Sequence, residues 1–261
     1  MDLHLSGKTA VVTGTSKGIG FAITKALVDA GVHVVAASRT PGNGLPALQE
    51  TGQVSFVPVD LSQPGAAEEL VAVAAERGGI DILVNNVGGA KVRAGGLASI
   101  TDDEWQASWD LNVMAAVRSI RAALPEIERR GGGSIVLIGS INAYLANPES
   151  YDYCAAKAAL ASFSKALSIE LAPKNIRVNL VSPGAVLTEI WTEAGRLAAQ
   201  YAAADGRTAE EVRATIIEKT PTGRFTTPEQ VADLVLFLVS DRAGNITGSD
   251  YRIDGGFVTT L

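Results

Sequence analysis

One cysteine, Cys154, stands in 261 residues, so no intrachain disulfide can form and an intracellular setting is favoured. Histidine is almost as scarce, with His4 and His33 only, and no Cys/His cluster suggests a metal. There is no long basic run and the net charge is −6, which makes nucleic acid a poor partner. Long apolar runs are missing too. The most apolar late stretch, residues 231–239, is far too short for a bilayer span and contains Asp233. The first residues, MDLHLSGKTAVV, have no basic leader followed by an apolar core and a small-residue cleavage site. Together these absences predict a cytoplasmic protein that contacts neither membrane nor nucleic acid, which leaves a small molecule as the partner to look for. Charged residues are 19% and hydrophobic residues 47%, so a large core is affordable and disorder is excluded.

What is present alternates. Short β-branched runs (KTAVVTG, VHVVAAS, VSFVPVD, IDILVNN, GSIVLIGS, IRVNLVSPG and SDYRIDGG) are separated by segments of helical spacing. TDDE at 101–104 and TPEQ at 227–230 have capping-box spacing. The first opens a long helix expected to run to about residue 130, and a second long helix is expected over 150–172. The pattern predicts an α/β fold in one domain, residues 1–261, with seven mainly parallel strands and helices on both faces. Residues 188–225, between the sixth strand and the last helix, form a mostly helical insertion. It leaves the carboxyl end of a strand, where such sheets bind ligands, and is the expected substrate lid.

Between the first strand and first helix lies TGTSKGIG, with Gly14, Gly18 and Gly20 spaced G-x-x-x-G-x-G. Glycines there let main-chain N–H groups approach a pyrophosphate and let the helix pack on the strand. The second strand ends in AASRT, and no Asp or Glu occurs between Asp29 and Glu50. A carboxylate near that point would bind the ribose 2′-hydroxyl of NAD, whereas arginine accommodates a 2′-phosphate. Arg39 at the strand end and Lys17 in the loop therefore favour NADP(H), with NAD(H) as the alternative.

Of five tyrosines, only Tyr153 has a lysine, Lys157, four residues on, which places both on one helix face. An ammonium beside a phenol favours the phenolate, so Tyr153 is expected to titrate below the usual value of about 10 and serve as acid or base. Spacing alone would equally suit an aromatic and a snorkelling lysine. Two other residues weigh against that: Ser140 ends the fifth strand, where a hydroxyl can polarise a carbonyl, and Asn112 sits inside a long helix despite poor propensity.

Taken together, TGTSKGIG, NNVG at 85–88, Asn112, Ser140, Tyr153 with Lys157, and PGAVLT at 183–188 resemble the short-chain dehydrogenase/reductase family in its compact single-domain branch. Within it the chain is similar to 3-oxoacyl-[acyl-carrier-protein] reductases and related carbonyl reductases. It spans nearly the whole chain and implies a Rossmann-like fold and hydride exchange between a nicotinamide and a ketone or secondary alcohol. By that resemblance Tyr153 is the proton donor or acceptor, Ser140 polarises the carbonyl, Lys157 lowers the tyrosine pKa and holds the nicotinamide ribose, and Asn112 anchors a proton-relaying water. The cofactor would be held by Gly14, Ser16, Lys17, Gly18, Ile19 and Gly20, by Ser38 and Arg39, and by Asp60 and Leu61 at the adenine. Asn86, Val87, Gly88, Pro183, Gly184, Val186 and Thr188 would complete its channel. The substrate would meet Ser140, Asn142, Tyr153, Ile190 and Trp191. Leu187, Ile190, Trp191, Leu197 and Tyr201 could equally wall an apolar pocket or pack on the core or a neighbouring subunit. The resemblance also implies a homotetramer. A non-catalytic NAD(P)-binding regulator would tend to lose Ser140, Tyr153 or Lys157; all three are present.

Overall fold

The computed structural model describes residues 2–260. Its strands are β1 (Thr9–Thr13), β2 (His33–Ser38), β3 (Val54–Pro58), β4 (Ile82–Asn85), β5 (Gly133–Ile138), β6 (Ile176–Pro183) and β7 (Asp250–Ile253). They form one sheet in the order β3-β2-β1-β4-β5-β6-β7, every pair parallel. The expected fold is therefore the one found.

The sheet is covered on both faces, and the alternation of side chains divides the core. Val12, Val84 and Val136 turn to one side, under α1 (Gly18–Asp29) and, near the end of the chain, Pro228–Val239. Val11, Leu83, Ile135 and Leu137 turn to the other, under α3 (Ala67–Glu76), α5 (Ala115–Arg129) and α6 (Tyr151–Leu171), with α2 (Leu45–Gln49) and α4 (Asp102–Trp109) completing the order so far. Both capping boxes form: Thr101 with Glu104 opens α4, and Thr227 with Gln230 opens α10 (Pro228–Val239).

The helix expected over 101–130 forms, helical without a break from Asp102 to Arg129, but it is not α throughout. A π turn, Asp110–Met114, separates α4 from α5. The extra residue rotates Asn112 inward, where it is 1% exposed. The insertion at 188–225 carries α7 (Glu189–Thr192), α8 (Leu197–Asp205) and α9 (Ala209–Lys219). Strand order reverses between β1 and β4, so the loops leaving those two strands part at the crevice where ligands bind in such sheets. Among the described residues, no helix is long and apolar enough to cross a membrane.

Candidate active site

A cleft of about 1120 Å³ opens at the carboxyl ends of the strands. Of the catalytic, cofactor and substrate residues expected from the family resemblance, all but Gly20 and Asn112 line it. Those two lie directly behind its wall.

The glycine loop is built by close approach. Gly14 adopts φ +72° and Gly18 φ +57°, conformations that favour glycine. A Cβ on Gly20 would stand 2.1 Å from the Gly14 carbonyl oxygen. Asn86 reaches over from the end of β4 and donates Nδ2 to the carbonyls of Thr13 (3.0 Å) and Gly14 (3.1 Å). The Thr13 hydroxyl in turn accepts from the amides of Asn86 (2.9 Å) and Val87 (3.1 Å). Asn86 thus fixes the two loops that border the crevice, a role its place in the NNVG motif did not disclose. The loops leave main chain facing an elongated cleft, with Arg39 exposed at the far end of β2 and Asp60 and Leu61 beside it. This donor set fits a dinucleotide. Lys17 is otherwise engaged: its Nζ is 3.0 Å from Glu193 of the lid, in a half-exposed pair.

At the opposite end Tyr153 and Lys157 share one face of α6, with the ammonium 5.6 Å from the ring centroid. Lys157 is buried and donates to the Ile138 carbonyl at 2.9 Å. Burial pulls its pKa down to about 8. The expected lowering at Tyr153 is not found. Burial pushes the phenol up to about 12, against a weaker opposing pull from the Ser140 hydroxyl. The lysine ammonium is engaged by a carbonyl at the end of β5, and desolvation of the phenolate sets the direction of the shift. Ser140 caps the turn after β5, its hydroxyl accepting from the Asn142 amide at 3.1 Å.

The buried lysine has a measurable cost. Its folded pKa lies below the unfolded value of 10.5, so the folded state is penalised while the amine is charged, and the penalty is relieved as pH rises from about 8 to 10.5. Lys157→Met is accordingly expected to melt higher than the wild type at pH 7, with the gap narrowing over that window in a thermal scan.

Asn112 is a scaffold group. Its Nδ2 donates to the carbonyls of Gly89 and Ser108, both at 3.0 Å, and its Oδ1 accepts from the Gly89 amide at 3.0 Å. A relay through the side chain has only the second lone pair of Oδ1 left to use. A Cβ on Gly88 would meet Asn112 Oδ1 at 2.9 Å and Lys157 Nζ at 3.3 Å, so glycine lets this loop close on the lysine.

The 188–225 insertion borders the same cleft. Trp191 stacks on Tyr201 with centroids 6.5 Å apart and packs against Phe225 at 5.7 Å. Gln200 accepts from the Val92 amide at 3.1 Å. Ile190, Trp191, Leu197 and Tyr201 line the cleft, whereas Leu187 is exposed and does not. Sequence reasoning missed Asn147, Glu149 and Gln200, which also line it. The Asn-Pro pair at 147–148 was a usable signal, since Asn147 Oδ1 accepts from the Glu149 amide at 2.9 Å in an Asx turn. It also missed Arg93 and Asp152, which form a buried ion pair immediately before Tyr153.

Comparison with known proteins agrees with this geometry. The family described as "Enoyl-(Acyl carrier protein) reductase" matches residues 14–258. Dehydrogenase/reductase SDR family member 4 of Homo sapiens is 36% identical over 266 residues, covering 98% of this chain and 90% of the relative. L-xylulose reductase of Bos taurus is 34% identical with both chains covered in full, 100% of each. D-beta-hydroxybutyrate dehydrogenase of Rhizobium meliloti is 34% identical, over 96% of this chain and 98% of the relative. Among solved structures, L-sorbose reductase from Gluconobacter frateurii, complexed with NADPH and L-sorbose, superposes with a TM-score of 0.89 at 36% identity over 100% of both chains. The chain belongs to the short-chain dehydrogenase/reductase family, whose members use NAD(P)(H), and is an oxidoreductase of alcohols and carbonyls.

Proposed function

We propose that the protein interconverts a ketone and a secondary alcohol with NADP(H), using Tyr153 as the acid/base group. The observation that carries this reading is convergence: Ser140, Tyr153 and Lys157 open onto the same cleft as the glycine loop and Arg39. The bound nicotinamide supplies or accepts the hydride. The chain's own residues do the rest. Ser140 offers its hydroxyl to the reacting oxygen, and Tyr153 delivers a proton to that oxygen as negative charge builds on it. A phenol with a pKa of about 12 is fully protonated near neutral pH, which suits the donor role in reduction. Lys157, held by the Ile138 carbonyl, places a positive charge beside both phenol and ribose. A cytoplasmic homotetramer belongs to the same reading and rests on the family.

Preference for the 2′-phosphate rests on Arg39, which is exposed at the end of β2 and enters no ion pair among the described residues. Lys17 can join it only by leaving Glu193. The L-sorbose reductase structure, which contains NADPH, supports this preference. Arg39→Asp is expected to weaken NADPH relative to NADH by roughly 100-fold, the effect of losing a charge-assisted contact and gaining a repulsive one. Fluorescence titration of both cofactors reads the ratio. A wild type that already binds NADH better would overturn the assignment in favour of NAD(H). The relatives' names span ketoses and a hydroxy acid, so the names leave the substrate class open.

A further inference from the structure

We propose that the cleft beyond Ser140 and Tyr153 is a hydroxyl-recognition subsite formed by Tyr201, Glu149 and Asn147, and that the substrate is an uncharged polyhydroxylated ketone or its alcohol. This rests on the function proposed above and adds the substrate class.

The three residues are held rigidly, yet each keeps a polar group unspent. Tyr201 is fixed by its stack on Trp191, and its oxygen accepts from Asn147 Nδ2 at 3.0 Å. Its O–H donates to nothing among the described residues. Burial raises its pKa, so the phenol stays protonated and remains a donor. Asn147 spends Oδ1 on the Glu149 amide at 2.9 Å and one Nδ2 hydrogen on Tyr201, which leaves the second hydrogen. Glu149 is clamped through its main chain, the amide to Asn147 and the carbonyl accepting from the Arg93 amide at 2.8 Å. Glu149 lines the cleft, and its carboxylate makes no salt bridge among the described residues. Arg207, the nearby lining cation, is committed to Asp205 and, at 3.0 Å, to Thr215.

A fixed donor, an amide hydrogen and an unpaired carboxylate beside an aromatic stack are the chemistry that recognises neighbouring hydroxyl groups. The carboxylate accepts from a hydroxyl, and the phenol donates to one. An apolar chain would leave these half-buried groups without partners. A substrate carboxylate would share the cleft with the Glu149 carboxylate and be repelled by it. Apart from Arg39 and Lys157, the lining cation without an ion pair among the described residues is Lys219, which lies exposed at the end of α9. If it set the substrate charge, a keto acid would be preferred.

The test uses the purified full chain with NADPH and three kinds of ketone: 2-ketohexoses of every configuration, hexan-2-one and acetoacetate. At least one ketose is expected to exceed both others in kcat/KM. The ratio of that value to the one for hexan-2-one is expected to fall about tenfold in Tyr201→Phe, and about 10- to 100-fold in Glu149→Gln, where a charged acceptor is lost. Preference for hexan-2-one or acetoacetate over every ketose overturns the subsite and leaves the reductase reading standing. An unchanged ratio in both variants also overturns it. Failure of all three ketones with either cofactor overturns the subsite and the function proposed above together.

Discussion

Tyr153→Phe is expected to lower kcat for ketone reduction by about 10²- to 10⁴-fold, the range that a positioned general acid contributes. Cofactor affinity should barely move. Phenylalanine keeps the ring that packs beneath the Lys157 ammonium and removes only the oxygen, so the helix and the neighbouring loops have no reason to shift. The loss should therefore fall on kcat and not on the binding of NADPH, and fluorescence titration beside steady-state rates separates the two. A variant retaining a tenth or more of wild-type turnover would remove Tyr153 from the proton-transfer step. The two directions should also respond differently to pH. Reduction needs the protonated phenol, which a pKa of about 12 secures throughout the neutral range, so its rate should stay level from pH 6 to 7 and fall only above that, as Lys157 loses its charge around pH 8. Oxidation needs the phenolate, whose fraction grows tenfold per pH unit below the pKa, so its rate should climb over the same interval.

That result bears on what a sequence can disclose about such a site. The i, i+4 spacing was enough to put Tyr153 and Lys157 on one face, because helix geometry is local. The direction of the tyrosine's pKa was not legible. It depends on how deeply the phenol is buried, and burial is a property of the assembled fold. The parallel sheet and the ligand site at its carboxyl edge could be anticipated from alternation and loop glycines, since both follow from periodicities of a few residues. The π turn around Asn112 left a trace only as a residue of poor propensity inside a long helix. Tyr201 was visible as an aromatic in the lid. That its hydroxyl points into the cleft beside Asn147 depends on a contact between residues 54 positions apart. Pairings at that range have no period to betray them.

The clearest case of such a hidden pairing is Arg93 with Asp152, and its disruption is expected to give the largest loss of stability. Arg93 is 7% exposed and Asp152 is 5% exposed. The guanidinium donates Nη2 to Asp152 Oδ2 at 2.5 Å and Nε to Oδ1 at 3.3 Å, while Nη1 reaches Glu104 at 2.8 Å. Burial alone would raise the Asp152 pKa, but the Arg93 hydrogen bonds and charge outweigh it and the value is lowered. Lys91, the Thr101 amide and Arg93 hold Glu104 at about 2. The group joins three segments: the loop after β4, the capped start of α4, and the first turn of α6 one residue before Tyr153. Arg93→Ala would leave the Asp152 carboxylate buried without its cation, and removal of one member of a buried pair costs about 3–5 kcal/mol. Replacing both residues, as in Arg93→Met with Asp152→Leu, removes the stranded charge and should recover much of that loss. Urea denaturation at pH 7 measures both. A loss below about 1 kcal/mol in Arg93→Ala would show that water reaches the pair and screens it, as at an exposed site. The double variant separates stability from function. If the ion pair also aims the first turn of α6, the double variant should refold well yet keep a depressed kcat, because the start of the helix that carries Tyr153 has lost its anchor to α4 and to the loop that closes on Lys157.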